Sequence, residues 1–317
     1  MGDDMCTLLS LNSEDGKTLF GRTMDFSFEL EPEILVFPRG YTWDNLGSKV
    51  INKYKFMGTG QNIGKEICAE GVNEKGLGAA ALYFAGYASY DEIKDNQKQI
   101  AALEFVNYVL GNCSNTDEVI SFCENLSIVG MNDPVTGTLT PLHFFVTDKN
   151  KSITIEKVKE GLKIYDNNVG VMTNSPEFSY HLTNLRNYMN ASPYQYEEAI
   201  WKGFTLKPFG QGGGTIPLPG DYTSPSRFVK TVFQRSCVTS KTEKEAVING
   251  MHILDSVSIP KGVVISKNGN FDYTQYTSFI CLNSQKYYIK TYNRSAVRIY
   301  QMDNINSNKV ESLGKIN

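Results

Sequence analysis

Two alternating runs joined by a turn constrain this chain more than anything else in it. Cys6-Thr7-Leu8-Leu9-Ser10-Leu11 and Thr18-Leu19-Phe20-Gly21-Arg22-Thr23-Met24 flank residues 12–17, which contain Asp15-Gly16. Alternation on both sides of a tight turn is the pattern of an antiparallel hairpin. With the turn centred near Glu14 and Asp15, pairing sets Cys6 opposite about Thr23 and returns Arg22 and Asp25 to the strand end where Cys6 lies. A thiol, a guanidinium and a carboxylate are expected to meet there.

Beyond the hairpin, residues 33–38 read as a strand and 41–53 as a polar loop. Asn73-Glu74-Lys75-Gly76 is a turn signal, and the small apolar run behind it fits a buried strand packed closely on another backbone, ending near Tyr83. Between 99 and 127 the period becomes helical, in two segments separated by the capping residues Asn115 and Thr116. Strands resume at 142–147, 152–157 and 162–165, and Gly170-Val171-Met172-Thr173-Asn174-Ser175-Pro176 closes in a turn. Residues 185–222 read as irregular, followed by helices at 226–237 and from Thr242, whose Thr-x-x-Glu245 is a capping box. Strands are expected again at 273–282, 286–292 and 296–301. Blocks of strands alternating with blocks of helices imply an α+β chain with antiparallel sheets.

At 317 residues, 41% hydrophobic and 21% charged, the chain has a globular composition, and no linker separates two halves, so one large domain is expected. A net charge of -3 without a Lys/Arg cluster argues against nucleic-acid or anionic-membrane partners. No apolar run is long enough to span a bilayer, and Met-Gly-Asp-Asp-Met is unlike a signal peptide, so a cytoplasmic protein is expected. The six cysteines, Cys6, Cys68, Cys113, Cys123, Cys237 and Cys281, form no C-x-x-C pair, and five of them are read as reduced and mostly buried.

Zincin, α/β-hydrolase and Walker motifs are absent. The Gly210–Gly214 run has no lysine and does not join a strand to a helix, so it reads as a loop. A cysteine nucleophile needs a base, the chain offers only His143, His181 and His252, and His143 on a strand and His252 on a helix have contexts that read as structural. A chain terminus offers another base, since an α-amine has a pKa of about 7.7. That favours Cys6 as the first residue of a mature chain, with Arg22 stabilising its thiolate and Asp25 orienting the amine. Read alone, each residue also has an ordinary role: a buried cysteine, an ion pair, a turn cap at Asn174, a helix-start Arg227.

Taken together, several stretches resemble the choloylglycine hydrolase family of conjugated bile acid hydrolases and penicillin V acylases, which are N-terminal nucleophile hydrolases. They are Cys6-Thr7 with Arg22 and Asp25, Asn73–Gly78, Gly170–Pro176, Leu218–Thr223 through Ser226-Arg227-Phe228, and Tyr273–Ser278, in order along almost the whole chain. The resemblance implies a four-layer αββα sandwich of two antiparallel sheets between helical layers. It further implies an amidase acting on a small-molecule amide, with no metal or organic cofactor, and a homo-oligomer, commonly a tetramer.

Carried onto this sequence, the family pattern makes Cys6 nucleophile and base, with Arg22 and Asp25 beside it. Asn174 donates through its side-chain amide to the oxyanion, the residue at position 83 donates through its backbone N–H, and Arg227 tunes the site. Residues 1–5 precede Cys6 and must be absent from a chain whose α-amine is the base, which leaves residues 6–317 as the hydrolase domain. Bile salt hydrolases of the family commonly carry Asn where this chain has Tyr83, and penicillin V acylases carry Tyr. A phenol ring offers an aromatic face to a phenoxyacetyl group, so penicillin V type specificity is expected, with glycine- or taurine-conjugated bile acids as the alternative. A catalytically silent relative that binds a small amphipathic ligand is the reading of another class.

Overall fold

The hairpin forms as its alternation requires: β1 (Met5–Asn12) pairs antiparallel with β2 (Thr18–Phe26). The structure, a computed structural model, describes residues 5–134, 137–302 and 308–316. In one respect the register differs from expectation. Asn12 faces Thr18, so the turn is centred on Asp15 with Gly16 at φ +78°, and Cys6 faces Met24 while Thr7 faces Thr23. In a strand pair a one-residue slip exchanges the faces. The observed register therefore sends Cys6, Leu8, Phe20, Arg22 and Met24 to one side of the sheet and Thr7, Leu9, Thr23 and Asp25 to the other.

Around this hairpin grows a seven-stranded sheet. Val171–Met172 lies outside β1; Phe271–Cys281, Lys286–Thr291 and Arg294–Gln301 follow β2 in turn, and Val264–Ile265 pairs with Phe271–Cys281. A second sheet has eight strands in the order Gly161–Asp166, Ser152–Val158, Leu142–Thr147, Gly78–Tyr83, Glu66–Asn73, Phe56–Asn62, Glu33–Phe37 and Glu311–Lys315. Every pairing within these two sheets is antiparallel.

Three cores show how the layers stack. Leu8, Phe20, Met24, Ile34, Val72, Ala80, Phe145 and Tyr276 fill the space between the two sheets. The outer face of the eight-stranded sheet packs on α1 (Phe105–Asn112) and α2 (Thr116–Cys123). That of the seven-stranded sheet packs on α3 (Phe178–Asn184), α4 (Ser224–Cys237) and α5 (Glu243–Asp255). This is the αββα sandwich. A face of each sheet that carries apolar residues at every second position cannot remain open to water, and two such sheets with amphipathic helices cover one another.

Local signals explain most element boundaries. Asn115 caps α2 by accepting from the Glu118 N–H at 2.9 Å, and Thr242 caps α5 by accepting from the Glu245 N–H at 3.3 Å. At Gly78 a Cβ would come within 2.5 Å of the Phe20 ring, so the small run there does approach the opposite sheet closely. Several elements depart from the sequence reading. Residues 41–53 include a hairpin, Thr42–Asn45 with Ser48–Ile51, and the stretch read as irregular carries another, Ala199–Trp201 with Phe204–Leu206. Both are short and mostly exposed, so neither shows a buried alternating face. α3 and Glu311–Lys315 were not anticipated either. Four of the five other cysteines are buried, and Cys237 is exposed.

Candidate active site

Cys6 lies one residue inside the start of β1, its side chain turned into the space between the sheets and 1% exposed. Arg22 sits diagonally across on the same face and donates through Nη2 to Cys6 Sγ at 2.6 Å and to Met24 Sδ at 3.6 Å. Its Nη1 donates to the Ala81 carbonyl at 2.8 Å and meets Glu70 Oε2 at 3.3 Å. Asp25 is also fully buried, but on the opposite face of β2, where Thr274 Oγ1 donates at 2.5 Å and Thr23 Oγ1 at 3.0 Å. Asp25 reaches the thiol through its backbone N–H.

The backbone nitrogen of Cys6 donates to Asn174 Oδ1 at 2.7 Å. Sequence reasoning assigned the orientation of this nitrogen to Asp25; with Met5 attached, Asn174 is its partner. Arg227 Nη2 donates to the same oxygen at 2.8 Å, and Asn174 Nδ2 donates to the Tyr83 carbonyl at 2.9 Å. Two donors on one atom and an acceptor at the other set the orientation of the Asn174 amide. Arg227 Nη1 donates to the Cys6 carbonyl and to Thr7 Oγ1, both at 2.6 Å.

Helix α4 aims Arg227. Asp221 accepts from the Thr223 N–H at 2.9 Å and from Ser226 Oγ at 2.6 Å, holding the start of the helix, and Pro225 fits its first turn. Ser224 Oγ accepts from the Asn174 N–H at 3.0 Å, which couples the helix to the loop after Val171–Met172. Thus all six residues singled out in the sequence converge: Cys6, Arg22 and Asp25 on the hairpin, with Tyr83, Asn174 and Arg227 closing the strand end.

Burial pushes the Cys6 thiol pKa up, and the neighbouring Arg22 opposes it. Burial works against the Arg22 cation too, but Cys6, Glu70 and Tyr276 outweigh it and hold its pKa above the ordinary value. The Asp25 carboxyl is pushed up by burial and opposed by Arg227 and the two threonine hydroxyls.

Cys6 and Arg22 form part of the wall of a cleft between the sheets and the surface. Phe26, Phe28, Leu30, Ile63, Leu103 and Leu142 supply much of the apolar lining, and Asp133, Gln61 and Thr140 are among its polar groups. Tyr83 stands in that lining edge-on to Phe26, with ring centroids 6.1 Å apart. Such a site, mostly apolar and with a few placed polar groups, suits an amphipathic molecule with its amide at the thiol.

Two of the three histidines, His143 and His181, lie behind the site rather than on the thiol, and His252 is exposed on α5. His143 Nε2 is 2.9 Å from the Thr173 carbonyl and Nδ1 is 3.2 Å from Glu156 Oε1; His181 Nε2 is 2.9 Å from the Asn174 carbonyl. Both rings hold the backbone that carries Asn174, a role that context along the chain did not reveal. Glu70 was missed as well, although a carboxylate two positions before Val72 on an alternating strand occupies a core position. Among the described residues no group of three His, Cys, Asp or Glu side chains is placed to hold a metal ion. Nor is any helix among them long and apolar enough to cross a membrane.

Comparison with known proteins identifies the family. Residues 6–313 match the model of the family described as linear amide C-N hydrolases, choloylglycine hydrolase family. The chain is 36% identical to a bile salt hydrolase/transferase of Clostridium perfringens over 97% of its length and 96% of the relative's. To a protein of the same description from Lactiplantibacillus plantarum it is 36% identical, over 92% and 91%. A penicillin V acylase of Pectobacterium atrosepticum is 25% identical over 85% of this chain and 73% of that one. The solved structure of a variant of conjugated bile acid hydrolase from Clostridium perfringens superposes with a TM-score of 0.91 at 34% identity, covering 98% of this chain and 97% of the other. With a family match across nearly its whole length and relatives above 30% identity, the chain belongs to the choloylglycine hydrolase family of linear amide C–N hydrolases.

Proposed function

We propose that this protein hydrolyses glycine- or taurine-conjugated bile acids by a thiol nucleophile at Cys6, in a mature chain that begins there. Residues 1–4 lie outside the described residues, and the α-amine arises when Met5 and what precedes it are gone. In that chain the amine takes the Cys6 proton, and Sγ attacks the amide carbonyl carbon. The carbonyl oxygen becomes an oxyanion that receives the second N–H of Asn174 Nδ2 and the backbone N–H of Tyr83. Collapse breaks the C–N bond as the ammonium returns its proton to the leaving amine, leaving a thioester. Water, deprotonated by the amine, then releases the acid and restores the thiol.

The contact of Arg22 on Cys6 Sγ, at the wall of an apolar cleft, carries this reading. Arg22 stabilises the thiolate, and Arg227 and Asp25 fix the strand end from the other face of the sheet. The substrate class follows the relatives named bile salt hydrolase/transferase, which resemble the chain more than the acylase does. This replaces the penicillin V preference inferred from Tyr83. Tyr83 packs on Phe26 within an extended apolar wall, where a phenol face suits a steroid as well as a phenoxy ring. It also supports penicillin V turnover as a second reading.

Parallel kinetics on glycocholate, taurocholate and penicillin V test the choice. A kcat/KM for a conjugated bile acid at least about tenfold above that for penicillin V is expected; the reverse order restores the acylase reading. Cys6→Ser should abolish turnover while binding persists, and unchanged turnover rules out the thiol mechanism. Six unpaired cysteines support a reducing, cytoplasmic setting. The exposed Met189, Trp201, Phe204 and Phe209 support self-association, and light scattering on the purified protein checks the tetramer that the resemblance implies.

A further inference from the structure

Between the sheets, behind the thiol, lies a carboxylate that the reaction above does not use. Glu70 belongs to the strand Glu66–Asn73, is completely buried, and reaches across the sandwich to the other sheet. Its Oε1 accepts from Tyr276 OH at 3.1 Å and Ser278 Oγ at 3.3 Å; its Oε2 accepts from Tyr276 OH at 3.1 Å and Arg22 Nη1 at 3.3 Å. These partners are donors, the surroundings an ionised carboxylate requires once it has left water. Burial pushes the Glu70 carboxyl up, and Arg22 and the hydroxyls oppose that.

A guanidinium is a rigid planar fork, so holding one arm fixes the other. With Nη1 anchored by Glu70 and the Ala81 carbonyl, Nη2 has one direction left, and it points at Sγ. Charge follows the same geometry. Two cations, Arg22 and Arg227, and two carboxylates, Asp25 and Glu70, all of them buried, surround the thiol, and the set is balanced while the thiol keeps its proton.

We propose that Glu70 is a positioning residue that fixes the Arg22 guanidinium on Cys6 and shares its charge, so that the nucleophile stays a thiol until its base acts. A thiolate formed without this carboxylate would have the undivided charge of Arg22. The charged and titratable groups acting on Cys6 are Arg22 on its own face of β2, Asp25 from the opposite face, Arg227 from α4 and Tyr276 from Phe271–Cys281, with Glu70 acting through Arg22. The inference rests on Cys6 as the nucleophile, but labelling a thiol needs no substrate, so the two readings fail separately.

The test is the rate of iodoacetamide labelling of Cys6 against pH, followed by mass spectrometry of its peptide, in the wild type, Glu70→Asp and Glu70→Gln. Glutamine keeps an acceptor for Arg22 and removes the charge; aspartate keeps the charge and draws it back by one methylene. The labelling midpoint should fall by about one pH unit in Glu70→Gln and by less in Glu70→Asp. Any other order of the midpoints, including no change, overturns the proposal. If Glu70→Gln does not fold, as judged by thermal unfolding, the downward shift in Glu70→Asp decides alone.

Discussion

Cys6 pairs with Met24 across the hairpin, and this register puts Arg22 Nη2 2.6 Å from the thiol. Paired with Thr23 instead, Cys6 would share a face with Thr23 and Asp25, and Arg22 would point to the other side of the sheet. The site thus depends on a turn centred at Asp15 rather than half a residue earlier, which Gly16 allows by taking φ +78°.

Replacing Arg22 by Gln should slow the nucleophile. The buried thiol loses a cation in contact with its sulfur, so the pH midpoint of Cys6 alkylation rises, opposite to the change expected for Glu70→Gln. Hydrolytic kcat/KM should fall by about 100-fold. An unchanged alkylation profile would show that Arg22 does not act on the sulfur.

At Asn174 the expected loss is in kcat. Asn174→Ala removes the side-chain donor proposed for the oxyanion and should lower kcat by about 100-fold or more with little change in KM. It also removes the acceptor of the Cys6 nitrogen and of Arg227, so the folded state should be confirmed by circular dichroism. A variant with near-normal kcat would assign the oxyanion to other donors.

Stability should fall on acidification through His181. Buried against Phe228, its imidazole is held down to about 4, below the ordinary value of about 6.5. Between those values the unfolded chain binds the proton and the folded chain does not, so this contribution is complete above about pH 6.5 and diminishes as pH falls toward 4. Urea unfolding at pH 6.5 and pH 5 should differ by about 2 kcal/mol more in the wild type than in His181→Gln. Equal pH dependence in the two proteins would refute the assignment.

Activity should follow the chain boundary. Intact mass of fully active protein is expected to show a chain starting at Cys6, and a preparation that keeps Met5 should lack turnover, because its Cys6 nitrogen is an amide without basicity. Full activity in protein of unprocessed mass would remove the α-amine from the mechanism.

Much of the fold was legible along the chain because periodicity is a local property. The hairpin, the meander from 142, the two capped helices and the C-terminal strands each carry their own pattern of apolar positions and turn residues. The hairpins at Thr42–Ile51 and Ala199–Leu206 bury little and carry no such pattern, and α3 is too short to show a helical period. Cys6, Arg22 and Asp25 could be named from their types and spacing on the hairpin, whereas Tyr83, Asn174 and Arg227 entered through the resemblance. Substrate preference could not, since Tyr83 is one residue in a wall drawn from several strands and loops.

By itself, then, the sequence determined that a cysteine, an arginine and an aspartate stand at one end of an N-terminal hairpin in a layered α+β protein. Only the tertiary structure decided how they divide: Arg22 on the sulfur between the sheets, Asp25 on the opposite face with Thr23 and Thr274. It also decided that Glu70, forty-eight positions from Arg22, should hold that guanidinium from the opposing sheet. The reason is physical. Alternation states which residues share a face, but register, and the contact of one sheet with another, arise only when strands distant in sequence pack together and exclude water.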